Sequence, residues 1–557
     1  MNQFSLGLDF GTESARAVLV EVVTGEIVST KVHLYPHGVI DKHLPGKEEP
    51  LPPDWALQNP DDWLTSLQEI VYATIKESRI DPKRVVGIGV DFTSSTLVPT
   101  LSNGIALCNL EVHQDQPHAW PKLWKHHAAQ PQSDRVNELA IQREETWIAR
   151  YGGKISSEWL IPKALEILEE SPEIYSMMNR LVEGADWIVW QLTGQLAHNA
   201  CCAGYKATWH KQEGFPSPAF LAALNPELIN LYTEKLAGSI VPPGVKVGRL
   251  TKGWAKRLGL KTGTPVAAGI IDAHAAVVGG GVNAPGTMFM IMGTSSCHML
   301  LAEAEILVEG ISGVVEDGIV PGFFAYEAGQ VSVGDIFSWF IENNTPFTYQ
   351  EEATSQGISL HDLFSGKAGK LNPGQSGLLA LDWWNGCRTP LVDADLNGLV
   401  IGYSLHTSPE ELYRALIEST AFGTRLIVEL FREKGIAISK IRAGGGLTKN
   451  DLLLQIYADV LGMSIELTAS EQVSGQGAAI LGAFAGGAYK SVVEAIESMA
   501  AKPSRAIEPD ERNFGIYSSL YDEYSRLVHL FGRESQSVMR RLREIRAESS
   551  ILFSRKD

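Results

Sequence analysis

The 557-residue sequence is short of paired cysteines, long apolar segments and basic charge, and each shortage excludes a class of protein. Its five cysteines form no C-x-x-C pair, and their odd number suits reduced thiols rather than a disulfide framework. The longest apolar stretch, Val266–Val282, contains an aspartate, a histidine and four glycines, so it does not predict a membrane span. Its 65 acidic residues outnumber 47 basic ones, which gives a net charge of −18. A surface this acidic repels phosphate backbones, so nucleic acid is an unsuitable partner.

Targeting signals and familiar catalytic motifs are also missing. No secretory signal precedes the first apolar segment, which predicts a cytoplasmic protein. The sequence contains no G-x-x-x-x-G-K-[ST] loop, no G-x-G-x-x-G turn after a predicted strand, no H-E-x-x-H and no G-x-S-x-G. Any phosphate-binding site must therefore be built from other glycine-rich turns.

One such turn occurs twice, at an offset of 282 residues. Leu6–Glu21 and Met288–Glu303 each read as an apolar strand, a turn rich in glycine, threonine and serine, and a second apolar strand. Gly11-Thr12 lies in the first turn and Gly293-Thr294 in the second. Such a turn offers backbone N–H groups and hydroxyls to a phosphate, although a single copy is more often an ordinary hairpin. Two copies facing each other across a cleft would hold one polyphosphate from both sides.

The remaining patterns predict an α/β protein with a mixed sheet. Three strands are followed by a helix and another strand, and a mainly helical insertion spans about 117–244. Asn283–Gly286 is the predicted hinge between the halves. The predicted elements are strands Ala15–Val22, Glu26–Leu34, Val85–Asp91, Pro265–Ile271 and Ile436–Arg442, and helices Asp61–Glu77, Ala273–Val278, Glu410–Glu433, Ser474–Gly487 and Tyr521–Glu548.

Asp272 is the residue that most needs an explanation, because it is a carboxylate inside a nearly apolar segment. Burying an unpartnered carboxylate costs roughly several kcal/mol, so the Asp272 carboxylate must be capped, paired or exposed in a cleft. A helix N-cap and a catalytic base that deprotonates a substrate hydroxyl explain it equally well. His274 is the alternative base, although a histidine two residues further on more often belongs to the core.

Other polar residues stand beside predicted strands or among apolar neighbours. Asp9 ends the first strand before Gly11-Thr12, where a carboxylate suits Mg²⁺, and a turn-stabilising role is the alternative. Asp91 precedes a hydroxyl-rich loop, Phe92–Thr96, that would line a polyol pocket. Lys206 and Glu327 are isolated charges that fit either a site or the surface.

Several motifs, taken in order, resemble the FGGY carbohydrate kinases, and the resemblance covers roughly residues 4 to 535. Those motifs are Leu8–Ser14, the Asp272 segment, Met292–Ser296, Glu411–Glu418 and Ala443–Gly446. Within that family, further stretches resemble the L-ribulose kinases: Arg150–Trp159, Glu183–Trp190, Glu327–Gln330, Asp382–Gly386 and Glu418–Arg425. The sequence departs from the family pattern at Tyr403, which replaces an aliphatic residue, and at Ser94 and Ser95, where alanine and cysteine are frequent.

The resemblance implies two actin-like (ribonuclease H-like) domains with a cleft between them. Residues 1–283 would form the sugar-binding domain with the catalytic base, and residues 284–557 the nucleotide-binding domain with a C-terminal helix. It implies an ATP-dependent, Mg²⁺-requiring phosphotransferase that phosphorylates L-ribulose at its 5-hydroxyl in L-arabinose catabolism. A homodimer is the expected assembly.

The resemblance also assigns roles to individual residues. Asp272 would be the base, and Asp9 would hold Mg²⁺. The assigned ATP contacts are Thr12, Glu13, Thr294, Gly444, Gly445 and Asn450, and the assigned sugar contacts are Ser94, Lys206, Asp272 and Glu327.

Two alternatives stay open at this point. Xylulokinase, gluconokinase or glycerol kinase activity would differ only in the sugar pocket. An actin- or chaperone-like ATPase switch would use the same duplicated turns but would need no buried polyol pocket.

Overall fold

The computed structural model describes residues 2–534 and 538–553. The strands in this part of the chain are β1 Phe4–Phe10, β2 Ser14–Glu21, β3 Ile27–Leu34, β4 Val85–Phe92, β5 Leu97–Thr100, β6 Arg180–Glu183, β7 His198–Asn199, β8 Ile240–Val241, β9 Lys246–Arg249, β10 Pro265–Ala267, β11 Ile270–Ile271, β12 Gly286–Met292, β13 Ser296–Ala302, β14 Gly313–Glu316, β15 Phe324–Gln330, β16 Leu379–Leu381, β17 Leu399–Ile401, β18 Ile438–Gly444, β19 Ile465–Thr468 and β20 Pro503–Ile507.

The α-helices in the same part of the chain are α1 Pro60–Ser78, α2 Gln130–Gln142, α3 Leu160–Glu170, α4 Pro172–Met177, α5 Gly184–Thr193, α6 Ala200–Ala207, α7 Pro218–Leu224, α8 Lys252–Leu258, α9 Asp272–Gly279, α10 Gly334–Asn344, α11 Phe347–Gln356, α12 Leu360–Ala368, α13 Pro409–Glu433, α14 Asp451–Leu461, α15 Val473–Ala485, α16 Val492–Met499, α17 Glu511–Val528 and α18 Val538–Phe553. None of them combines the length and the apolar character that a membrane-crossing helix requires.

The first half of the chain forms a mixed sheet in the order β3-β2-β1-β4-β10-β9, with β11 also paired to β4. β1 and β2 are an antiparallel hairpin, whereas β1 and β4 run parallel and place Asp9 directly beside Asp91. α1 packs on β2 and β3. It begins at Pro60 because the Asn59 side chain caps it, and it buries Trp63 and Leu67 against the sheet.

The second half repeats this arrangement, in a sheet of order β14-β15-β13-β12-β18-β19-β20. β12 and β13 form an antiparallel hairpin and β12 runs parallel to β18. The end of β12 and the start of β13 lie 282 residues beyond the end of β1 and the start of β2. The duplicated motif is therefore a duplicated hairpin, as the sequence predicts.

α15 crosses from the second half to the first. It follows β19 in the chain, but it packs against β1, β4 and the neighbouring α9. The backbones approach closely: a Cβ on Gly89 would lie 1.8 Å from the Ala478 carbonyl oxygen. A separate core cluster that includes Val277, Phe289 and Ala479 joins the two halves here. The small residues of α15 therefore allow its backbone to approach the first sheet closely.

The predicted insertion between about 117 and 244 is confirmed as mainly helical, carrying α2 to α7 and the short pair β7–β8, while its β6 pairs with β5, which precedes it in the chain. One of its contacts reaches the second half directly, because the Tyr205 hydroxyl donates to the Ala325 carbonyl at 2.6 Å.

Two predicted elements are wrong in their continuity. The strand expected over Pro265–Ile271 is broken between β10 and β11, where Gly269 lies against Ala185. The single closing helix expected over Tyr521–Glu548 is divided into α17, a π-helical turn His529–Arg533 and α18, and residues 535–537 lie outside the described residues. Gly532 lies in the π-helical turn and packs against Leu391 and Trp383, and the continuous charge pattern gives no sign of this contact.

Candidate functional site

The two hairpin turns carry the predicted phosphate-binding threonines. Each turn is closed by a glycine amide: Gly11 N–H donates to the Ser14 carbonyl and Gly293 N–H to the Ser295 carbonyl, both at 2.9 Å. The Thr12 hydroxyl accepts a hydrogen bond from the Trp124 indole at 3.0 Å. Thr294 is exposed. Both tips therefore present hydroxyls and amides on an ordered backbone.

Glu13 follows Thr12 and is exposed. Its backbone carbonyl accepts a hydrogen bond from Tyr35 N–H at 3.0 Å, and its carboxylate lies against the loop at Gly38.

A small cavity of about 100 Å³ lies between the halves and brings the two hairpins together. Asp9 and Arg16 line it from the first hairpin, and Ile291 lines it from the second. Gly444 and Gly445 complete the wall at the end of β18. Three residues that the sequence assigns to metal and nucleotide therefore line one space.

A larger cavity of about 590 Å³ lies in the second half. It contains two predicted ATP contacts, Thr294 and Asn450, beside Gly446 rather than Gly444 or Gly445. The Asn450 side chain caps α14 by accepting from Leu453 N–H at 3.1 Å, and it donates to the Ser365 hydroxyl at 3.0 Å.

Sequence reasoning missed most of this cavity's wall. The additional lining residues come from α10, α12 and α13 and include Phe337, Ser338, His361, Ser365 and Tyr413. Tyr413 belongs to the Glu411–Glu418 motif, but the other four belong to no motif, and only the folding of the three helices places them together.

Three aspartates converge in the first half. Burial raises the pKa of Asp9, although Arg16 opposes this at 3.3 Å. The pKa of Asp91 is raised well above its ordinary value by burial, and then by the charges of Asp9 and Asp272. Among the described residues, no donor satisfies either carboxylate oxygen of Asp91. Such a cluster is electrostatically costly unless protons or a cation neutralise it.

Asp272 is the first residue of α9, and Ile271 occupies the N-cap, so the N-cap interpretation is wrong in position. The carboxylate instead accepts a hydrogen bond from the next amide, Ala273 N–H, at 2.6 Å. Burial, and then the charge of Asp9, raises its pKa from 3.8 to about 7. The side chain is still partly accessible. A carboxylate with this pKa and this access is suited to take a proton near neutral pH.

Lys206 and Glu327 form a buried ion pair, which excludes the surface interpretation of both. They are 5% and 7% exposed, and Nζ lies 3.2 Å from Oε2. Burial opposes the charge on Glu327, but Lys206 and then His274 lower its pKa below the ordinary value. Lys206 lies on α6 and Glu327 on β15, so the pair joins the two halves of the chain.

His274 packs behind this pair. Its ring lies 4.5 Å from the Tyr205 ring, and Nε2 lies 3.5 Å from Glu327. Burial lowers its pKa to about 4, so the imidazole is neutral near pH 7. These contacts agree with the core interpretation of His274, and of the two candidate bases Asp272 is the one that is partly accessible.

Ser94 is the partly exposed hydroxyl of the loop after β4. Of the other hydroxyls in this loop, those of Thr93 and Thr96 are buried and hydrogen-bonded to each other at 2.9 Å. Ser95 is also buried, and its backbone is left-handed with φ 53°.

The carboxylate oxygens at this site fit a hard cation that takes few ligands from the protein. The described residues contain no group of three or more acidic, histidine or cysteine side chains arranged to hold a metal. Asp9 and Asp91 supply one paired set of carboxylates beside the small cavity. Mg²⁺ characteristically takes one or two carboxylates and completes its shell with water and phosphate oxygens.

Comparison with known proteins gives matches along most of the chain. The profile of the FGGY family of carbohydrate kinases, N-terminal domain, matches residues 4–279, and that of the C-terminal domain matches residues 288–486. A protein named ribulokinase from Anoxybacillus flavithermus is 50% identical over 546 residues, 97% of each chain. Another so named, from Shouchella clausii, is 48% identical over 554 residues, 99% of each chain.

A solved xylulose kinase from Rhodospirillum rubrum superposes on this chain with a TM-score of 0.77 at 21% identity. The superposition covers 96% of this chain and 100% of that chain. At this identity the likeness shows a common fold.

Proposed function

The chain belongs to the FGGY family of carbohydrate kinases, and from that premise we propose that it transfers the γ-phosphate of ATP to the 5-hydroxyl of L-ribulose. Family membership and the α/β fold of two sheets confirm the resemblance predicted from the motifs. The observation that carries the sugar assignment is the match to proteins named ribulokinase, which extends over almost the whole length of both chains.

Asp272 is the proposed base. Phosphoryl transfer needs little covalent chemistry from the protein beyond positioning, charge stabilisation and removal of the proton from the attacking hydroxyl. Asp272 is partly accessible, and its pKa of about 7 leaves a large ionised fraction near neutral pH. A base with a pKa near the working pH combines an ionised form with useful basicity.

Lys206, Glu327 and Ser94 are the proposed sugar contacts. The buried ion pair supplies an ammonium that donates and a carboxylate that accepts, and together they can fix the orientation of neighbouring hydroxyls. Because water is largely excluded from this pair, its hydrogen bonds to a sugar would be stronger than at an exposed site.

The nucleotide is proposed to occupy the two cavities. The 590 Å³ space beside Asn450 and Thr294 would take the nucleoside, and the small cavity beside Gly444 and Gly445 would take the phosphates. Thr12 and Thr294 would contact the phosphates from opposite hairpins, with Glu13 at the edge of the first turn.

Mg²⁺ is the proposed metal, and Asp9 with its neighbour Asp91 would hold it. When bound, the ion would neutralise phosphate charge in the transferring group. Asp9 is fixed by Arg16 and by its position in β1, so the protein sets the carboxylate before any ligand arrives. The homodimer, the cytoplasmic location and the domain division at 283 stay predictions.

An ADP-release assay with the four 2-ketopentoses tests the proposal. We expect ADP release that depends on sugar and on Mg²⁺, with the highest kcat/KM for L-ribulose. Highest kcat/KM for xylulose would move the assignment to another kinase of the family. ADP release that is indifferent to every sugar would favour the ATPase switch.

A further inference from the structure

Lys163 is a fully buried lysine that lies outside the carboxylate cluster. It belongs to α3 and its side chain has no exposed surface. Its Nζ donates to the backbone carbonyls of Ser95 at 2.7 Å, Leu123 at 2.8 Å and Lys122 at 3.4 Å. An ammonium has three N–H donors, so these three acceptors use all of them.

Two of the acceptors stand next to residues of the proposed site. Ser95 follows Ser94, and its left-handed backbone is unfavourable for serine, so this loop conformation needs support from its surroundings. Leu123 precedes Trp124, whose indole donates to the Thr12 hydroxyl at 3.0 Å. One ammonium therefore ties the loop of a proposed sugar contact to the segment that supports the first hairpin turn.

We propose that Lys163 is a positioning residue for sugar recognition, which holds the Ser94 loop in the geometry that selects among 2-ketopentoses. This inference rests on the proposed function, because it deepens the role of the same site. Lys163 does not touch the sugar. Its effect passes through the Ser95 carbonyl.

A second buried lysine in the insertion provides a matched control. Lys235 is 9% exposed and donates to the carbonyls of Tyr175 at 3.0 Å and Met178 at 2.7 Å. Its acceptors lie at the end of α4 and not in any segment that carries a proposed site residue. Removing its charge also leaves backbone carbonyls unsatisfied, so it reproduces the structural cost without the connection to the site.

The test compares Lys163→Met with Lys235→Met in the full chain. For Lys163→Met we expect KM for L-ribulose to rise about 10- to 100-fold and KM for ATP to stay unchanged. The ratio of kcat/KM for L-ribulose to that for each other 2-ketopentose should also fall. Replacing a merely structural lysine lowers the fraction of active protein and reduces kcat/KM for every sugar by the same factor. We expect this result for Lys235→Met. An unchanged ratio in folded Lys163→Met overturns the proposal.

The coupling to Ser94 is tested with a double-mutant cycle. Ser94→Ala should reduce the selectivity ratio in the wild type and have little further effect in Lys163→Met, since contacting or connected sites are not additive. Additive effects overturn the proposal. If Lys163→Met does not fold, the same measurements on Lys163→Gln, which keeps two N–H donors, replace it, and an unchanged ratio there is equally decisive.

Failure of the proposed function gives a different result. A wild-type protein without activity on L-ribulose refutes the function itself. A wild-type protein that is active on L-ribulose, with a Lys163 variant of unchanged selectivity, refutes only the positioning role.

Discussion

At the scale of single residues, desolvation decides the chemistry of this site. Asp272, Asp9 and Asp91 all have raised pKa values, and burial is the first cause in each case. Lys206 and Glu327 are as deeply buried, yet both keep their charges because they pair with each other. An opposite charge in contact is not always sufficient, because Arg16 lies 3.3 Å from Asp9 and burial still raises the pKa of Asp9.

Replacing Asp272 by asparagine should reduce turnover about 10²- to 10⁴-fold, because the base is lost while the shape of the side chain is kept. ADP-release kinetics measure turnover, and calorimetric titration should show that L-ribulose and ATP still bind. Asp459→Asn is a suitable control, since Asp459 is a buried aspartate of α14 held by Gln455 and Asn513. Near-normal turnover in Asp272→Asn would remove Asp272 as the base.

The same substitution should stabilise the protein at neutral pH. The pKa of Asp272 is about 7 in the folded chain against an ordinary 3.8, so the folded state holds the proton more tightly than the unfolded state. Stability is therefore lost as the pH rises from about 4 to about 7, by up to about 4 kcal/mol. Urea unfolding should show that the advantage of Asp272→Asn over the wild type is larger at pH 8 than at pH 5. An advantage that shrinks over this range would contradict the assigned pKa.

At the scale of elements, α15 shows why small residues recur in this chain. Its backbone approaches β1 and β4 so closely that a Cβ on Gly7 would lie 1.8 Å from the Gly475 carbonyl oxygen. On its other side, a Cβ on Gly477 would lie 1.9 Å from the Ala275 carbonyl oxygen of α9. The obstacles are backbone atoms, which no rotamer change can move.

Gly89→Ala should therefore lower the free energy of unfolding by at least about 2 kcal/mol, since the added methyl overpacks a rigid contact. Gly515→Ala in α17 is the matched control, because Gly515 is exposed and has no heavy atom within 4 Å of the added Cβ. Gly515→Ala should raise the free energy of unfolding by about 0.5–1 kcal/mol, because alanine has the higher helix propensity. Urea or thermal unfolding measures both, and a Gly89→Ala protein as stable as the wild type would contradict the close packing.

At the scale of the whole molecule, the helical insertion bridges the two halves by direct contacts. The Arg150 guanidinium contacts Glu305 at 2.8 Å, and Lys211 contacts both Glu316 and Asp317 at 2.7 Å. The small cavity is lined by residues of both halves. Closure about Asn283–Gly286 would therefore narrow it.

L-Ribulose together with a non-hydrolysable ATP analogue should reduce the radius of gyration measured by small-angle scattering. Closure excludes water from a phosphoryl-transfer site, which is the physical reason to expect it. The analogue alone is the control and should produce a smaller change. A radius that is the same with and without both ligands would contradict the predicted closure.

Patterns of local order allowed much of the fold to be predicted. The two hairpins, α1 and α13 begin and end within one or two residues of the predicted positions. These elements have strong periodicity and explicit caps, such as the Ser408–Glu411 capping box before α13. The closing helix was predicted as one element because a charged surface pattern continues through the break near Gly532.

The candidate site was predictable only in part. Asp272 and Asp9 stand out because a carboxylate beside apolar residues or glycines is conspicuous in a sequence. In the sequence, Lys206 and Glu327 could not be distinguished from surface charges. Their role becomes visible only in the fold, where Nζ of Lys206 lies 3.2 Å from Oε2 of Glu327. Lys163 gave no signal at all, because its partners are backbone carbonyls, which every sequence contains.

The sequence by itself determined the duplicated hairpins, the family and the acid in the apolar segment, because each depends on residues that are neighbours along the chain. The tertiary structure decided that α15 crosses to the first sheet, that Lys206 meets Glu327, and that the pKa of Asp272 lies near 7. These depend on contacts between distant segments and on the exclusion of water, and both exist only after the two halves have packed together.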